Sequence, residues 1–256
     1  MFDKWVIATG LTRGIGFEFA KKMHEEGYKI IHLGRKKIGF EDEHLLWDLL
    51  SPIFINPLDE LHTILSEKLV YGFVYCAGLM PILEIVDSNK TQNKLFWQSQ
   101  AEAMRVNYFA CAELVEEILP FLLSPPKKQD EKFIPFVAHL SSLAMVDPFP
   151  GLELYGVTKS AIFQYFVWLA KRFKPQQLNC LSIHPGTVHT DMIADIIKKE
   201  RETHPLVELL VKLQDQKQFI MPAESAHKIF DFLFHENELK TNAHGKLFLV
   251  DKYEIL

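Results

Sequence analysis

The sequence predicts one α/β domain, built on a doubly wound parallel sheet of about seven strands with helices on both faces. Short runs rich in β-branched and aromatic residues alternate with longer amphipathic runs along the chain, as in a parallel sheet with crossover helices. The length of 256 residues suits one large domain of this class. With 48% hydrophobic and 24% charged residues, the chain has enough apolar material for a core.

The elements alternate from the first residues onward. Short apolar runs bounded by glycine, proline or polar residues predict strands at Trp5–Thr9, Lys29–Leu33, a short one near Leu45–Asp48, Gly72–Cys76, Phe133–Leu140, Asn179–His184 and Lys246–Val250. Apolar residues spaced three and four apart predict helices at Gly16–Glu26, Leu58–Lys68, Lys94–Leu122, Leu154–Phe173 and Ala223–His235. Residues 192–218 are also amphipathic, and we expect the segment 187–221, which follows a strand end, to form a mobile lid over a substrate. Residues 1–256 are therefore expected to form a single domain.

Charge and composition exclude several classes of function. The net charge of −5 and the pI near 6.1 give no basic field for nucleic acid. No apolar run approaches the roughly 18–20 residues that span a bilayer, and the first strand begins too near Met1 for a signal peptide. The three cysteines, Cys76, Cys111 and Cys180, are odd in number and far apart, which predicts reduced thiols in a cytoplasmic protein and neither disulfides nor a zinc site.

A glycine-rich turn joins the first predicted strand to the first predicted helix. Glycines in such a turn let the backbone approach a pyrophosphate, which the free N–H groups and positive dipole end of the helix then stabilise. Because the turn opens an alternating strand–helix pattern, it predicts a Rossmann-type, dinucleotide-binding sheet. The candidate cofactor residues in this turn are Gly10, Thr12, Arg13, Gly14, Ile15 and Gly16.

The end of the second predicted strand indicates which dinucleotide binds. A carboxylate at this position would bind the adenosine ribose hydroxyls of NAD, but the chain has Gly34 followed by Arg35. Arg13 adds a second cation from the glycine turn. A 2′-phosphate carries about two negative charges and suits guanidinium groups, so this pair of arginines predicts NADP(H). The alternative is a solvated basic turn.

Tyr155 and Lys159 form the strongest candidate catalytic pair. They lie four residues apart near the start of a predicted helix, so their side chains share a face. A free phenol has a pKa of about 10. An ammonium about 4 Å away would lower that pKa by about three units at an effective dielectric near 20, before desolvation is counted. We therefore expect Tyr155 to act as a general acid near neutral pH.

Further motifs accompany this pair. Ser142 ends a predicted strand thirteen residues before Tyr155, and Asn107 lies in the long predicted helix. Two more segments are Tyr75-Cys76-Ala77-Gly78, which matches Asn-Asn-Ala-Gly with its first two residues changed, and Pro185-Gly186-Thr187-Val188-His189-Thr190, which matches Pro-Gly-x-Val-x-Thr. Together with the Gly-x-x-x-Gly-x-Gly turn and Tyr-x-x-x-Lys, these residues make the chain resemble the short-chain dehydrogenase/reductase family over essentially its whole length.

The resemblance implies a role for each matching residue. Ser142 would hold a substrate carbonyl oxygen, Asn107 would position a water beside Lys159, and Asp48 would contact the adenine amino group. Cys76 replaces an asparagine that is credited with stabilising the sheet in that family, which puts local stability in doubt. The residues implied to lie against the cofactor, besides Tyr155 and Lys159, are Ala77, Gly78, Pro185, Gly186, Val188 and Thr190.

Within that family the chain resembles the sepiapterin reductase and bacterial benzil reductase branch, through residues 147–151 and 243–254. This implies NADPH-dependent reduction of a ketone or diketone held by Ser142 and Tyr155. Lys246 stands where the pterin-binding enzymes have an acidic residue, so a pterin is not expected. The expected pocket walls, beyond the ends of the strands, are Met80, Leu143, Phe149, Leu152 and Met192, together with other residues of the segment 187–221.

Other functions stay open at this point. A scaffold of this kind could sense NADP(H) and regulate a partner with little turnover, although such proteins commonly lose the tyrosine or the lysine. It could also reduce a 3-oxoacyl thioester, although acyl carrier protein favours a basic surface. The family implies a homodimer or homotetramer. No metal is expected, because a Pro-Gly kink would separate His184, His189 and Asp191.

Overall fold

The computed structural model describes residues 3–82, 94–125, 133–199 and 204–256. Its strands are β1 (Trp5–Thr9), β2 (Lys29–Gly34), β3 (Glu43–Leu46), β4 (Val70–Tyr75), β5 (Phe136–Leu140), β6 (Asn179–His184), β7 (Leu247–Leu249) and β8 (Glu254–Ile255). They form one sheet in the order β3-β2-β1-β4-β5-β6-β7-β8, and every neighbouring pair is parallel except β7 with β8. The predicted doubly wound α/β fold is confirmed.

Helices cover both faces of this sheet. They are α1 (Gly14–Glu25), α2 (Leu58–Glu67), α3 (Lys94–Met104), α4 (Ala110–Leu123), α5 (Glu153–Arg172), α6 (Asp191–Lys199), α7 (Pro205–Asp215), α8 (Pro222–Phe234) and α9 (Asn237–Asn242). Within the described ranges, none of them combines the length and apolar character needed to cross a bilayer.

Two large apolar cores lie on the two faces of the sheet. α1 and α8 bury Phe19 and Phe230 in one core, and α2, α4 and α5 enclose the other, which contains Phe166. Consecutive strand residues feed opposite cores, as Ile30 and Ile31 of β2 do. Because a parallel sheet is buried on both faces, its central strands are mostly apolar and do not alternate between apolar and polar residues.

The sheet has one strand more than the sequence predicts. After β7 the chain turns at residues 250–253, and β8 returns antiparallel with Ile255 paired to Phe248. Tyr253 takes a φ of 55°, a left-handed conformation that is common in tight turns. A strand of two residues is too short to show an alternating pattern, so the sequence does not predict β8.

The long helix predicted over Lys94–Leu122 is not regular. α3 and α4 are joined by a π-helical turn, Arg105–Phe109, in which Val106 and Asn107 are buried. A π turn accommodates extra backbone within a helix and occurs mostly at functional sites. The interruption thus lies at a residue that the sequence singled out as catalytic.

Other predicted bounds shift by a few residues. The strand predicted from Phe133 begins only at Phe136, because the preceding Pro135 has no N–H to donate to the ladder. The third strand lies at Glu43–Leu46, slightly before its predicted position. The segment 187–221 contains α6 and α7, and residues 200–203 of it lie outside the described part of the chain.

Candidate active site

A cavity of about 910 Å³ opens at the carboxyl ends of the central parallel strands. Open α/β sheets bind their ligands at this edge. The predicted residues that line the cavity are Gly10, Thr12, Arg13, Gly14, Ile15, Gly16, Arg35, Asp48, Ala77, Gly78, Met80, Ser142, Leu143, Phe149, Leu152, Tyr155, Lys159, Pro185, Gly186, Val188, Thr190 and Met192. Of the predicted site residues, Asn107 alone does not line it. The structure therefore brings the candidate catalytic, cofactor and substrate residues together.

At Gly10 and Gly16 the glycine turn passes too close to neighbouring backbone for a side chain. A Cβ at Gly10 would lie 2.4 Å from the Ala77 backbone nitrogen, and one at Gly16 would lie 2.2 Å from the Gly10 carbonyl oxygen. Gly10 and Gly14 also have φ values of +71° and +57°, which favour glycine. At Gly10 and Gly16 the turn therefore presents bare backbone, while Thr12 and Arg13 between them also line the cavity.

The amino end of α1 presents donors to an anion. First-turn N–H groups of a helix have no partner within the helix. The Arg13 side chain caps none of them, and the first turn of α1 contains no acidic residue. Gly14, Ile15 and Gly16 of this turn border the cavity. These donors and the positive end of the helix dipole fit a pyrophosphate, so the residues present fit a nicotinamide dinucleotide.

Asp48 lines the cavity from a loop that its own carboxylate holds together. Oδ1 accepts a hydrogen bond from Leu50 N at 3.1 Å, and Oδ2 accepts one from Ser51 Oγ at 3.4 Å. Arg105, in the π turn, donates to the Ser51 carbonyl oxygen at 2.7 Å and so ties this loop to the long helix. Asp48 thus shapes the rim of the cavity, and its contact with adenine stays a prediction.

His32 is a cavity residue that the sequence did not single out. Its side chain is 0% exposed, and neither ring nitrogen has a hydrogen-bond partner in the part of the chain that the structure describes. The pKa of His32 is lowered to about 4, mainly by burial and in the same direction by the neighbouring His44. A histidine within an apolar strand is ordinarily a core residue, so only the tertiary structure identifies His32 as a residue of the cavity wall.

Tyr155 and Lys159 lie on the face of α5 that meets the cavity. Lys159 Nζ is 5.7 Å from the centroid of the Tyr155 ring. It donates a 2.7 Å hydrogen bond to the carbonyl oxygen of Leu140, the last residue of β5. Lys159 is only 5% exposed, so this carbonyl replaces part of its hydration. The end of the sheet thereby fixes the ammonium beside the phenol.

Burial controls the pKa of Tyr155. It raises the pKa to about 12, while a hydrogen bond with the Ser142 hydroxyl acts in the opposite direction. The expectation that Lys159 makes the phenol acidic is wrong for the protein's own groups, because desolvation of the buried phenol is the largest effect on its pKa. Burial also lowers the pKa of Lys159 to about 8. At neutral pH the phenol keeps its proton and most of the lysine is charged.

Ser142 caps a short turn and also contacts the phenol. Its Oγ accepts a 3.2 Å hydrogen bond from Ala144 N at the start of a 3₁₀ turn, Leu143–Met145. A hydroxyl has one donor and two acceptor lone pairs. The cap therefore leaves capacity for Tyr155 and for a substrate oxygen.

Asn107 joins the loop after β4 to α5. Its Nδ2 donates to the Leu79 carbonyl oxygen at 2.7 Å and to Thr158 Oγ1 at 2.9 Å, and its Oδ1 accepts from Leu79 N at 2.8 Å. A Cβ at Gly78 would lie 3.5 Å from Asn107 Oδ1 and 3.6 Å from Lys159 Nζ. The side chain is thus used in positioning the loop, and a water beside Lys159 stays a prediction.

The segment after β6 turns back towards the glycine turn. The Pro185 carbonyl oxygen accepts a 2.7 Å hydrogen bond from Ser225 Oγ of α8, and Gly186 has a φ of +86°. Thr190 faces the phosphate-binding turn, since a Cβ at Gly14 would lie 3.5 Å from Thr190 Cγ2. No cluster of three or more possible metal ligands occurs among the described residues.

Apolar side chains close the other end of the cavity. We call them the roof cluster: Ile196, Leu206, Val207 and Leu210, with Met80, Ile82, Phe149, Leu152, Ile193, Ile197 and Phe219 packed against them. The sequence predicted Met80, Phe149 and Leu152 individually and further walls from the segment 187–221 without naming them; in α7 these walls are Leu206, Leu209, Leu210 and Leu213. An apolar stripe on a helix looks the same whether it faces a core or a ligand, so these leucines carried no separate signal.

Comparisons with known proteins agree with this arrangement. A family model described as short chain dehydrogenase matches residues 66–201, a span that contains Asn107, Ser142, Tyr155 and Lys159. The benzil reductase ((S)-benzoin forming) of Saccharomyces cerevisiae is 27% identical over 205 residues, which cover 75% of this chain and 74% of that protein. This chain is thus similar in sequence to an enzyme named for the reduction of a diketone.

Solved structures show the same fold. Thermoplasma acidophilum aldohexose dehydrogenase, in ligand-free form, has a TM-score of 0.76 at 21% identity, covering 97% of this chain and 92% of that chain. A short chain dehydrogenase of Shigella flexneri complexed with NADP has a TM-score of 0.74 at 22% identity, covering 98% of each chain. At these identities the likeness concerns the fold alone.

Proposed function

Because the chain belongs to the short chain dehydrogenase family, we propose that it is an NADPH-dependent carbonyl reductase acting on a ketone or diketone. Membership makes it an oxidoreductase of a family that binds a nicotinamide cofactor and acts on CH–OH or C=O groups. The observation that carries the finer proposal is the meeting of Ser142, Tyr155 and Lys159 in one cavity, between the glycine turn and the roof cluster. A hydride donor would bind at the end of that cavity beside the glycine turn, and an apolar carbonyl compound would bind at the end beside the roof cluster.

The chemistry divides between the cofactor and the protein. NADPH, when bound, supplies the hydride that adds to the carbonyl carbon. Ser142 and Tyr155 hydrogen-bond the carbonyl oxygen, and Tyr155 transfers its proton to that oxygen as negative charge develops there. Lys159 stabilises the phenolate that remains and returns a proton to it. The substrate thus gains one hydride and one proton.

The protonation states of the pair support reduction. With its pKa raised to about 12 by burial, Tyr155 is a protonated donor at neutral pH. With its pKa lowered by burial to about 8, Lys159 is mostly cationic and has a proton that it gives up readily. At pH 7 the general acid Tyr155 and the lysine that returns a proton to it are therefore both protonated.

The rate of carbonyl reduction is expected to fall as the pH rises through about 8, where Lys159 loses its proton. Tyr155 remains protonated in this range, so the loss reflects the lysine alone. The measurement is kcat/KM for the carbonyl substrate at saturating NADPH, from about pH 6 to about pH 10. A profile that is flat or rising across pH 8 contradicts the role of Lys159.

The proposed preference for NADP(H) is supported by the charges at the end of β2. Arg35 and Lys36 line the cavity after Gly34, and Arg13 lines it from the glycine turn. Solved structures do not decide the matter, because the Shigella flexneri neighbour is complexed with NADP and a 3-ketoacyl-(acyl-carrier-protein) reductase of Brucella melitensis with NADH. The argument therefore depends on the residues of this chain.

Arg35→Ala is expected to weaken NADPH binding about tenfold or more and to leave NADH nearly unchanged, since a charge-assisted contact with phosphate is lost. Dissociation constants from fluorescence titration measure this without any substrate. Lys37→Ala is the matched control, because Lys37 is exposed in the same turn and does not line the cavity. An equal loss for both nucleotides in the Arg35 variant would refute the assignment to NADP(H).

A substrate screen tests the activity itself. NADPH oxidation is followed with benzil-like diketones, sepiapterin, quinones and aliphatic ketones, and the apolar roof cluster favours the aromatic diketones. Wild-type protein is expected to oxidise NADPH with at least one diketone. A chain that binds NADPH and oxidises it with none of these compounds would favour a nucleotide-sensing role instead.

A further inference from the structure

At the end of β2, the imidazole ring of His32 occupies the space that a side chain at Gly34 would fill. A Cβ at Gly34 would lie 2.5 Å from His32 Nε2 and 2.9 Å from His32 Cε1, closer than real Cβ atoms come to such neighbours. The two residues are two apart in the strand, so their side-chain positions share a face of the sheet. The ring of His32 and any side chain at 34 therefore exclude each other.

His32 also has hydrogen-bonding capacity that the described protein does not use. A neutral imidazole carries one donor and one acceptor, and both nitrogens of His32 are buried without a partner among the described residues. Such burial is unfavourable unless a ligand supplies the partner. The neighbouring His44 differs, because its Nε2 lies 2.9 Å from the Gly34 carbonyl oxygen and it does not line the cavity.

The charges around this point favour an anionic ligand. Arg13, Arg35 and Lys36 all line the same cavity as His32. Glu41 acts on His32 electrostatically, but its carboxylate accepts hydrogen bonds from the backbone of residues 38–39 and does not line the cavity. A phosphorylated ribose carries an anionic group that these cationic side chains would bind.

We propose that His32 is a specificity-determining residue of the nucleotide site: it occupies the place of a carboxylate-bearing side chain at 34 and offers a ring nitrogen to the phosphorylated ribose of NADP(H). The proposal rests on NADP(H) as the cofactor. A carboxylate at the end of β2 would repel the 2′-phosphate, whereas a neutral imidazole does not. His32 thereby excludes the side chain that would favour NADH.

Binding of NADPH and NADH to the full chain, without substrate, tests this role. His32→Leu removes both ring nitrogens and keeps an apolar group of similar volume. It is expected to reduce the preference for NADPH over NADH about three- to tenfold, the factor that one hydrogen bond is worth. His44→Leu is the matched control on the adjacent strand and is expected to keep the wild-type preference.

A second pair of variants tests the exclusion of a side chain at 34. Gly34→Asp alone is expected to weaken both nucleotides at least tenfold and to lower the unfolding temperature, because the Cβ meets the His32 ring. His32→Ala combined with Gly34→Asp opens that space. The double variant is expected to regain the unfolding temperature and to bind NADH more tightly than NADPH.

The possible failures are distinguishable. An unchanged preference in His32→Leu, or a Gly34→Asp variant that binds NADH as well with His32 as without it, would overturn the role of His32. A wild-type chain that does not prefer NADPH would instead overturn the proposed cofactor. Because every measurement is of binding or unfolding, none depends on which carbonyl compound the protein reduces.

Discussion

Tyr155→Phe is expected to lower kcat by about three orders of magnitude while NADPH still binds. The substitution removes only a hydroxyl group, which in the proposed mechanism is both the donor to the carbonyl oxygen and the source of its proton. With its pKa raised to about 12, that hydroxyl is protonated throughout the working range of pH. Ser142 would remain as a hydrogen-bond donor but not as an acid. Single-turnover oxidation of NADPH, with a substrate from the screen, gives the rate, and fluorescence titration gives the nucleotide affinity.

Tyr165→Phe provides the matched control on the same helix. Tyr165 donates a 2.9 Å hydrogen bond to Glu116 Oε1, away from the cavity. Its loss is expected to change turnover by less than about twofold, since surface polar contacts contribute little. If Tyr155→Phe kept turnover close to the wild-type rate, another group would have to supply the proton and the mechanism would fall.

Gly10→Ala is expected to destabilise the fold by about 2–5 kcal/mol and to abolish measurable nucleotide binding. The added Cβ would lie 2.4 Å from the Ala77 nitrogen, where only backbone could move to relieve it. The φ of +71° adds the ordinary cost of a left-handed conformation for alanine. The midpoint of urea unfolding, at an unchanged slope, measures the change in the free energy of unfolding.

Gly27→Ala separates these two contributions. Gly27 has a φ of +76°, but a Cβ there would meet nothing within 4 Å. It is expected to cost only about 1–2 kcal/mol, the conformational part alone. Equal destabilisation in the two variants would mean that the approach of the glycine turn to Ala77 has no energetic weight.

Local patterns in the sequence were sufficient for most of the fold and for the arrangement of the predicted site. Gly10, Gly14 and Gly16 lie between a predicted strand and a predicted helix, and their spacing together with that position indicates a phosphate-binding turn. Tyr155 and Lys159 are four apart in a helix, so their common face follows from helical geometry. The order of strands and helices, with the rules for parallel sheets, then predicts which strand ends meet.

Tertiary surroundings decided what these patterns could not. The pKa of Tyr155 depends on burial and on the hydrogen bond with Ser142, and neither is visible in residue spacing. His32 is set apart by its place in the cavity wall, its two unpartnered ring nitrogens and the ring's position over Gly34, which the described structure shows and residue spacing does not. The leucines of α7 line the cavity only because α6 and α7 fold over it.

The roof cluster shares no buried side chain with the two cores that flank the sheet. Regions held by few apolar contacts open at a much lower free energy than the whole domain. Under the proposed function, we therefore expect the carbonyl compound to enter, and its alcohol to leave, by separation of α6 and α7 from the cavity while the strands stay paired. Where that opening is slower than hydride transfer, departure of the alcohol limits the turnover rate.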